Sequence, residues 1–237
     1  MKKLVLGLAL GVSALLSTSV FAQDKPSVAV LEFTNESGAA WWRGGVGWEL
    51  SSMLTNEMAA TKAFRMLERN KIEGVLSEQN LAASGRVQGG TGARIGKLLG
   101  AQYLVTGTVS AYEEDTASTG GGLSFGGVSL GGNKSNAYLA VDLRVINATT
   151  GEVAFTRTIE GNAKSGGMSI GLYKGGFGGN LSQQKNTPAG KAIRAALVLS
   201  SDYLECVMVR QDGCEADFDA ADDRRRAKTR DAIDLDD

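Results

Sequence analysis

The sequence predicts an α+β fold, in which a mixed sheet is packed with helices and two glycine-rich β-hairpin arms extend from it. Short segments rich in Val, Ile and Tyr alternate apolar with polar residues, which is typical of strands. Longer segments repeat apolar residues at intervals of three and four, which is typical of helices. The predicted order is strand–helix–strand–helix–helix–strand–strand–strand–helix, which favours a sheet with helices packed over it.

The first strand and helix are predicted soon after the N-terminal segment. The stretch SVAVLEF (27–33) alternates and is rich in Val, which predicts a strand, and the polar cluster at 34–38 predicts a turn. A helix is predicted over 45–60 because apolar residues recur there at helical spacing. These residues are Val46, Leu50, Met53, Leu54 and Met58.

Three further elements are predicted before the middle of the chain. FRMLE (64–68) predicts a second strand. RNKIEGVLSEQNL (69–81) predicts a helix, and TGARIGKLLG (91–100) predicts another helix that ends at Gly100. The 69–81 segment is predicted as a helix because that conformation places Ile72, Val75, Leu76 and Gln79 on one side.

Three strands and a long helix are predicted for the second half. The strands are AQYLVTGTVSAY (101–112), NAYLAVDLRVIN (136–147) and EVAFTRTIEG (152–161), and the turn TTGE makes the last two a hairpin. A helix is predicted over 188–210, with Pro188 in the first turn, where its missing N–H removes no helical bond. One face of the middle strand carries Leu139, Val141, Leu143 and Val145.

The N-terminus has the organisation of a secretory signal peptide over 1–22. A positively charged start precedes an apolar run over 4–16, and small residues stand three and one before the end of the segment. This run is too short to span a bilayer as a helix, which needs about 20 apolar residues. We therefore expect export to the periplasm with cleavage after Ala22. Gln23 rather than Cys follows the cut, so we expect no lipid anchor.

The composition limits the classes of function. The chain contains no histidine, which excludes Ser–His and Cys–His nucleophile pairs and removes the commonest metal ligand. Without Lys2 and Lys3 there remain 23 basic and 26 acidic residues, so no basic excess indicates nucleic acid binding. No stretch sets paired carboxylates in an apolar context, and no GxxxxGK[ST] loop occurs. We therefore expect no enzyme, no catalytic residues, no metal and no cofactor.

Two segments outside the α+β scheme, 113–135 and 161–187, are predicted to be extended arms. Each contains a charge-free stretch in which apolar residues alternate with small or polar ones, the pattern of a strand in a membrane barrel. The glycines at 126–127, where the alternation changes parity, are expected to form a bulge. The side chains expected to face lipid are Leu123, Phe125, Val128 and Leu130 in the first arm and Met168, Ile170 and Leu172 in the second.

The alternative for both arms is a surface loop with incidental apolar residues. If the arms enter a membrane, two hairpins from one chain cannot close a barrel. An open sheet edge in lipid leaves unpaired backbone groups, each of which costs several kcal/mol. The membrane hypothesis therefore predicts a homo-oligomeric ring in which several copies combine their arms in one transmembrane β-barrel.

Two features stand at the C-terminal end. Cys206 and Cys214 are the only cysteines, and in an exported chain they most simply form a disulfide. A redox or metal role would call for CxxC spacing or further ligands. The tail, 211–237, mixes Asp with Arg, which predicts a solvated helix or a disordered end. The functional alternative is a docking site for a periplasmic accessory factor.

Several stretches of the chain resemble the CsgG family of curli production assembly and transport components. The most specific is FRMLERNKIEGVLSEQ, and VAVLEFTNESG, IGKLLGAQYLVTGTVSAYE and VDLRVINATTGEV match other parts, so that the resemblance covers about 27–210. It implies an α+β periplasmic domain over 23–210 whose two arms join those of other subunits in an outer-membrane barrel. It also implies a channel that exports unfolded, curli-like protein subunits without nucleotide.

The resemblance further assigns a role to the loop ESGAAWWRGG (36–45). In the family, this loop narrows the channel with aromatic and amide side chains. Counting back from LSSML, Trp42 falls at the aromatic position and Trp41 at the amide position. The loop is shorter than in the curli channel and has no Pro, so we expect a wider or differently shaped constriction. The alternative for both indoles is burial against the sheet or the 45–60 helix.

The leading hypothesis is therefore a secretion channel subunit, and the alternative is a soluble periplasmic adaptor or envelope-assembly factor of the same fold. A pore needs long arms with a charge-poor lipid face, whereas an adaptor tolerates charges there. Lys134, Lys164 and Lys174 stand where water-exposed ends or a lumen would accept them, so they do not separate the two hypotheses.

The signal peptide predicts that the mature protein begins at Gln23. Mass spectrometry of protein purified from the periplasm or envelope should give that N-terminus. A mature chain that retains residues 4–16 would contradict the prediction.

Overall fold

The computed structural model describes residues 25–118, 124–125, 128–129, 133–164 and 187–233. Several sequence-predicted features lie outside the described residues. They are the signal peptide 1–22 and, among the expected lipid-facing residues, Leu123, Leu130, Met168, Ile170 and Leu172.

The described chain has an α+β fold with a mixed six-stranded sheet, as the sequence predicts. Four helices accompany the sheet: α1 (Val46–Thr61), α2 (Ile72–Ala83), α3 (Pro188–Glu205) and α4 (Glu215–Asp231). The strands are β1 (Ser27–Val30), β2 (Thr34–Asn35), β3 (Arg65–Met66), β4 (Tyr103–Ser118), β5 (Ser124–Phe125), β6 (Val128–Ser129), β7 (Asn133–Asn147) and β8 (Val153–Lys164). No helix among the described residues is long and apolar enough to cross a membrane.

The sheet has the strand order β3–β1–β4–β7–β8, with β2 paired to β4. The pairs that involve β1 or β2 are parallel, whereas β4–β7 and β7–β8 are antiparallel. The parallel part alternates with helices α1 and α2, and the antiparallel part is formed by consecutive long strands. The strands β3 and β8 therefore lie at opposite edges of the sheet.

The core lies between one face of the sheet and helices α1 and α3, which also pack on each other. The predicted apolar face of β7 is confirmed, because its four residues are almost fully buried: Leu139, Val141, Leu143 and Val145. Helix α1 contributes Val46, Leu50, Leu54 and Met58. On the opposite face of the sheet, the Thr158 hydroxyl of β8 donates a hydrogen bond to an Asp142 carboxylate oxygen of β7 at 2.6 Å.

Helix α3 lies close to the backbone of β8 because the sheet carries a glycine at the crossing. A Cβ added to Gly161 would overlap the main-chain carbonyl oxygen of Ala192 in α3. The N-terminus of α3 is capped by Thr187, whose side chain accepts a hydrogen bond from the Gly190 N–H at 3.1 Å. Pro188 occupies the first turn, as predicted, and a π-helical turn, Cys206–Arg210, continues the helix.

The predicted helix over 91–100 is wrong, since no helix forms there. Gly96 adopts a positive φ of 77°, which an α-helix does not accept in its middle. A ten-residue helix is also only marginal without a packed face, and Ile95, Leu98 and Leu99 are all exposed. Helix α2 is present, and of the four residues predicted on one side, Gln79 is buried, Ile72 and Leu76 are half-buried and Val75 is exposed.

Of the two possibilities predicted for the tail, a solvated helix or a disordered end, the structure shows the helix. It is α4, which has no buried residue. The predicted disulfide between Cys206 and Cys214 is present, with Cα atoms 5.9 Å apart, and it ties the end of the α3 segment to the start of α4. Farther along α4, the Phe218 ring packs edge-on against Tyr203 at 5.3 Å, and Arg157 of β8 forms an ion pair with Asp219 at 2.5 Å.

The bulge predicted at 126–127 lies outside the described residues, and only the short strands on either side of it are described. Strands β5 and β6 pair antiparallel, with Phe125 opposite Val128 and Ser124 opposite Ser129.

We predict that Gly161→Ala destabilises the protein by about 1–3 kcal/mol, because the added methyl group has to displace the α3 backbone. Urea unfolding of the mature chain measures the change. Gly74→Ala in α2 is the matched control, since a Cβ there meets no atom within 4 Å. That variant should be neutral or slightly more stable, because alanine is the better helix former. Equal stabilities of the two variants would contradict the close approach of α3 to β8.

Candidate functional site

Both predicted arms leave the sheet at the same end. Strands β4 and β8 run parallel to each other on either side of β7, so their C-terminal ends lie beside the N-terminal end of β7. The β4–β7 ladder continues to the pair Ser118–Asn133, and the β7–β8 ladder continues to the pair Asn136–Lys164. The segments 113–135 and 161–187 are therefore connected to three adjacent strands at one end of the molecule.

The loop that carries the two tryptophans lies beside this end. Its start is anchored by a hydrogen bond from the Glu36 N–H to the carbonyl of Val109 in β4, at 2.9 Å. The Ser37 N–H and hydroxyl both donate to the Asn35 side-chain oxygen, which forms a local turn. The loop ends at Gly45, whose φ of 90° allows the chain to enter α1.

Trp41 and Trp42 are half-buried and pack against the edge of the core. Their ring centroids are 5.7 Å apart. The backbone N–H of Trp42 donates a hydrogen bond to the carbonyl oxygen of Ala39 at 3.0 Å. Trp41 also packs edge-on against Tyr112 of β4 at 5.4 Å. The Trp41 Nε1–H is buried and has no acceptor among the described residues. The three aromatic rings form what we call the aromatic cluster: Trp41, Trp42 and Tyr112.

A β-bulge places Tyr112 in this cluster. The β4–β7 register passes from Val109–Val141 to Ala111–Ala140, so Ser110 is an extra residue in β4. Before the bulge, the odd-numbered residues of β4 face the helices. After it, Tyr112 pairs with the buried Leu139 and therefore lies on the helix side. The bulge brings an aromatic ring to Trp41 that strict alternation would place on the opposite face.

Tyr112 also links the aromatic cluster to the base of the first arm. Its hydroxyl donates a hydrogen bond to a carboxylate oxygen of Glu114 at 2.8 Å. Burial, followed by the hydrogen bond and the negative charge of Glu114, raises the pKa of Tyr112 above its usual value. The phenol is therefore protonated and able to donate this hydrogen bond at any physiological pH.

The polar groups of this site are few. They include the Tyr112 phenol, the Glu114 carboxylate, the Trp41 indole N–H and backbone amides, and no nucleophile–base pair is found among the described residues of the site. No group of three His, Cys, Asp or Glu side chains that could hold a metal is present within the described ranges. Aromatic rings offer large contact area at low conformational entropy, which suits contact with another molecule.

The sequence identified Trp41 and Trp42 but missed Tyr112 and Glu114. The available signal was the position of Tyr112 at the end of the predicted strand 101–112, next to the first arm. Strand alternation alone did not show which face Tyr112 occupies, because the position of a bulge depends on the partner strand. The remaining two predicted site residues that are described, Phe125 and Val128, form a cross-strand pair in the first arm.

One family model matches nearly the whole chain. It is CsgG, described as the curli production assembly/transport component, and it covers residues 11–233. The description is that of a transport component and not of an enzyme.

Curated relatives include the curli production assembly/transport components CsgG of Escherichia coli K12 and of Salmonella typhi. Each is 26% identical to this chain over 107 residues, which is 44% of this chain and 39% of the relative. The match thus spans well under half the length of these relatives.

Solved structures with a similar fold include the hypothetical protein CT253 from Chlamydia trachomatis. It is 15% identical, with a TM-score of 0.44, and the match covers 77% of this chain and 96% of that one. A variant PelC dodecamer from Paraburkholderia phytofirmans is 16% identical, with a TM-score of 0.37 and coverage of 75% and 88%. At these identities and scores the two structures carry no argument about function.

Proposed function

Because the chain belongs to the CsgG family, we propose that it is a subunit of an outer-membrane secretion channel that exports unfolded, curli-like protein subunits without nucleotide. The proposed organisation is a cleaved signal peptide, an α+β periplasmic domain with two membrane arms, and a charged C-terminal helix. The proposed partners are further copies of the same chain, the unfolded substrate, the outer membrane and a periplasmic accessory factor.

The observation that carries the proposal is the common origin of the two arms. Three adjacent strands of one sheet, β4, β7 and β8, all extend at the same end into the glycine-rich segments. A subunit of this shape can offer four strands side by side to a barrel while its α+β domain stays in water. Backbone groups in lipid must all be paired, so copies of the chain have to complete the barrel together.

The aromatic cluster supports the assignment of the loop 36–45 as the constriction. It lies next to the base of the first arm, which is where the periplasmic mouth of the barrel would be. Trp41 packs on Tyr112 and is held by it, whereas Trp42 contacts Trp41 and makes no contact with Tyr112 of comparable closeness. We therefore assign the lining role mainly to Trp42 and a supporting role to Trp41.

The fit to an unfolded substrate follows from the chemistry of this surface. An extended polypeptide presents side chains of every kind, so a channel for it cannot depend on specific hydrogen bonds. Indole rings contact apolar groups with their faces and cations through the ring quadrupole. A ring of copies would repeat these contacts around the passing chain.

We predict that Trp42→Ala increases single-channel conductance in planar bilayers and leaves assembly unchanged, because it removes the largest side chain from the proposed narrowest point. Trp48→Ala is the matched control, since Trp48 is also half-buried but lies on α1 outside the loop. Conductance of the control should equal that of the unchanged protein. If Trp42 is instead a core residue, Trp42→Ala leaves conductance unchanged and costs about 3–5 kcal/mol of stability.

We predict that Ile170→Arg blocks membrane insertion or ring assembly, whereas Ser169→Arg assembles and alters ion selectivity. Adjacent strand residues face opposite sides, and a lipid-facing Arg near mid-membrane costs about 2–4 kcal/mol, while a lumen-facing charge costs far less. Membrane fractionation and bilayer recordings measure the two effects. Because the positions are neighbours, a general intolerance of Arg in this segment cannot produce the difference. Two variants that both remain folded and soluble would favour the periplasmic adaptor.

A further inference from the structure

Helix α4 is held to the rest of the domain by one narrow stripe of side chains. The half-buried residues of this stripe recur at helical spacing and begin just before the helix: Cys214, Phe218, Asp222 and Arg225. Phe218 is the large apolar side chain of the stripe, and no residue of α4 is buried. The helix therefore gains little free energy from apolar contact with the domain.

The space beneath α4 indicates the same loose attachment. A groove of about 820 Å³ lies between α4, α3 and β8, and Leu199 and Phe218 provide its large half-buried apolar lining. Its charged lining has both signs and comprises Arg157, Arg210, Arg224 and Arg225 with Glu160, Asp202, Glu205, Asp217 and Asp222. Protein interiors are close-packed, so a groove of this size shows that α4 does not pack tightly on β8 and α3.

Besides the disulfide, a ring contact and an ion pair join α4 to the domain. Phe218 packs edge-on against Tyr203, and Asp219 pairs with Arg157. The Asp219 side chain is 60% exposed, and ion pairs in contact with water contribute little to stability. Both contacts lie at the start of α4, close to Cys214, so both depend on where the disulfide holds that end of the helix.

The effect of the Cys206–Cys214 disulfide is mainly local. The two cysteines are eight residues apart in sequence. The entropy that a cross-link removes from the unfolded chain increases with the length of the loop that it closes, so this short loop adds less to the stability of the whole domain than a long one would. What the bond does fix is the start of α4, which it joins to the fully buried Cys206 after α3.

We propose that α4 is a removable cover of the β8 edge and that the Cys206–Cys214 disulfide is its latch, opened by dithiols and closed by oxidation. Strand β8 is the last in the sheet order, and no strand lies beside its outer edge among the described residues. Opening exposes that edge and the Tyr203 ring, and an uncovered strand edge is a template for pairing with another chain. The inference goes beyond the proposed function, because it concerns a redox reaction at the C-terminal helix and does not depend on the arms.

The reaction begins at Cys214. Cys206 is fully buried, whereas Cys214 is half-buried and lines the groove, so an attacking thiolate reaches the Cys214 sulfur first. The thiolate of the dithiol bonds to Sγ of Cys214, the S–S bond breaks, and Cys206 leaves with the electron pair and takes up a proton. The second thiolate of the dithiol then displaces Cys214, which is protonated in turn. The dithiol is oxidised to a disulfide, and the protein gains two thiols.

Hydrogen exchange followed by mass spectrometry tests the latch in the full mature chain, purified with its disulfide intact. Reduction with dithiothreitol should accelerate amide exchange in α4 about tenfold or more, because a detached polar helix loses its protection. Exchange in α1 and β7 should not change. Removal of the reductant and addition of glutathione disulfide should restore the initial rates.

Two results of this experiment would overturn the inference. Unchanged exchange in α4 would show that the other contacts hold the helix without the disulfide. Faster exchange in α1 and β7 as well would show that the disulfide stabilises the whole domain. Phe218→Ala with the disulfide intact is the matched control, and its α4 should keep most of its protection. Loss of protection in that oxidised variant would identify the ring contact, and not the disulfide, as the latch.

The variant Cys214→Ser tests the cover without any reductant. Tyr203 is 3% exposed in the closed protein. Hydroxyl-radical footprinting should oxidise Tyr203 several times faster in Cys214→Ser than in the unchanged protein, because α4 no longer lies over the ring. Equal rates would show that α4 does not cover this surface.

The first product of exchange tests the direction of attack. The oxidised protein is treated briefly with 2-mercaptoethanol, a monothiol, and the reaction is stopped with N-ethylmaleimide in denaturant at mildly acidic pH. Peptide mass spectrometry should find mercaptoethanol on Cys214 and the maleimide on Cys206. Mercaptoethanol on Cys206, or equal amounts on both cysteines, would contradict attack at the groove.

Discussion

The continuous antiparallel ladder of β7 with β4 and β8 is the constraint on which the rest of this structure depends. Its pairing extends from the buried core to the bases of both predicted arms and contains two register shifts, one in each pair of strands. One face of β7 is buried throughout the core by α1 and α3, which fixes the register, because a slip of one residue would turn the apolar side chains outward. The direction in which β4, β7 and β8 leave the core is therefore set by core packing.

The same ladder determines how closely the helical layer approaches the sheet. Gly161 in β8 gives room to the backbone of α3, and Gly107 in β4 gives room to the ring of Phe33. These glycines have no side chain to pack, and their contribution is the space that they leave for a neighbour. The compact contact of α3 with β8 in turn positions Tyr203, whose ring receives both Phe218 and the Arg157 guanidinium. Helix α4 is attached to the domain through this contact and the disulfide.

The two edges of the sheet differ in how well they are covered. At the β8 edge, α4 is held by an ion pair, an aromatic contact and the disulfide. At the β3 edge, α2 and the segment 91–100 bury only Gln79 within the helix and leave large apolar residues exposed.

The sequence by itself determined the elements whose pattern is local and strongly periodic. Alternation in β7 predicted its buried face, helical spacing predicted α1, and the two cysteines of an exported chain predicted their disulfide. The position of the tryptophan loop between the first strand and α1 was also evident. Each of these features depends on residues close together in the chain, so a short window contains the relevant information.

Only the tertiary structure decided the features that depend on distant partners. Apolar spacing over 91–100 predicted a helix, but nothing in the described part of the chain buries Ile95, Leu98 and Leu99, and Gly96 takes a left-handed conformation instead. Strict alternation along β4 would put Tyr112 on the face opposite to Trp41, but the extra residue Ser110 returns it to the helix side. A bulge is a property of two paired strands and a helix needs a face to bury, so the physical reason in both cases is a non-local contact that no local pattern contains.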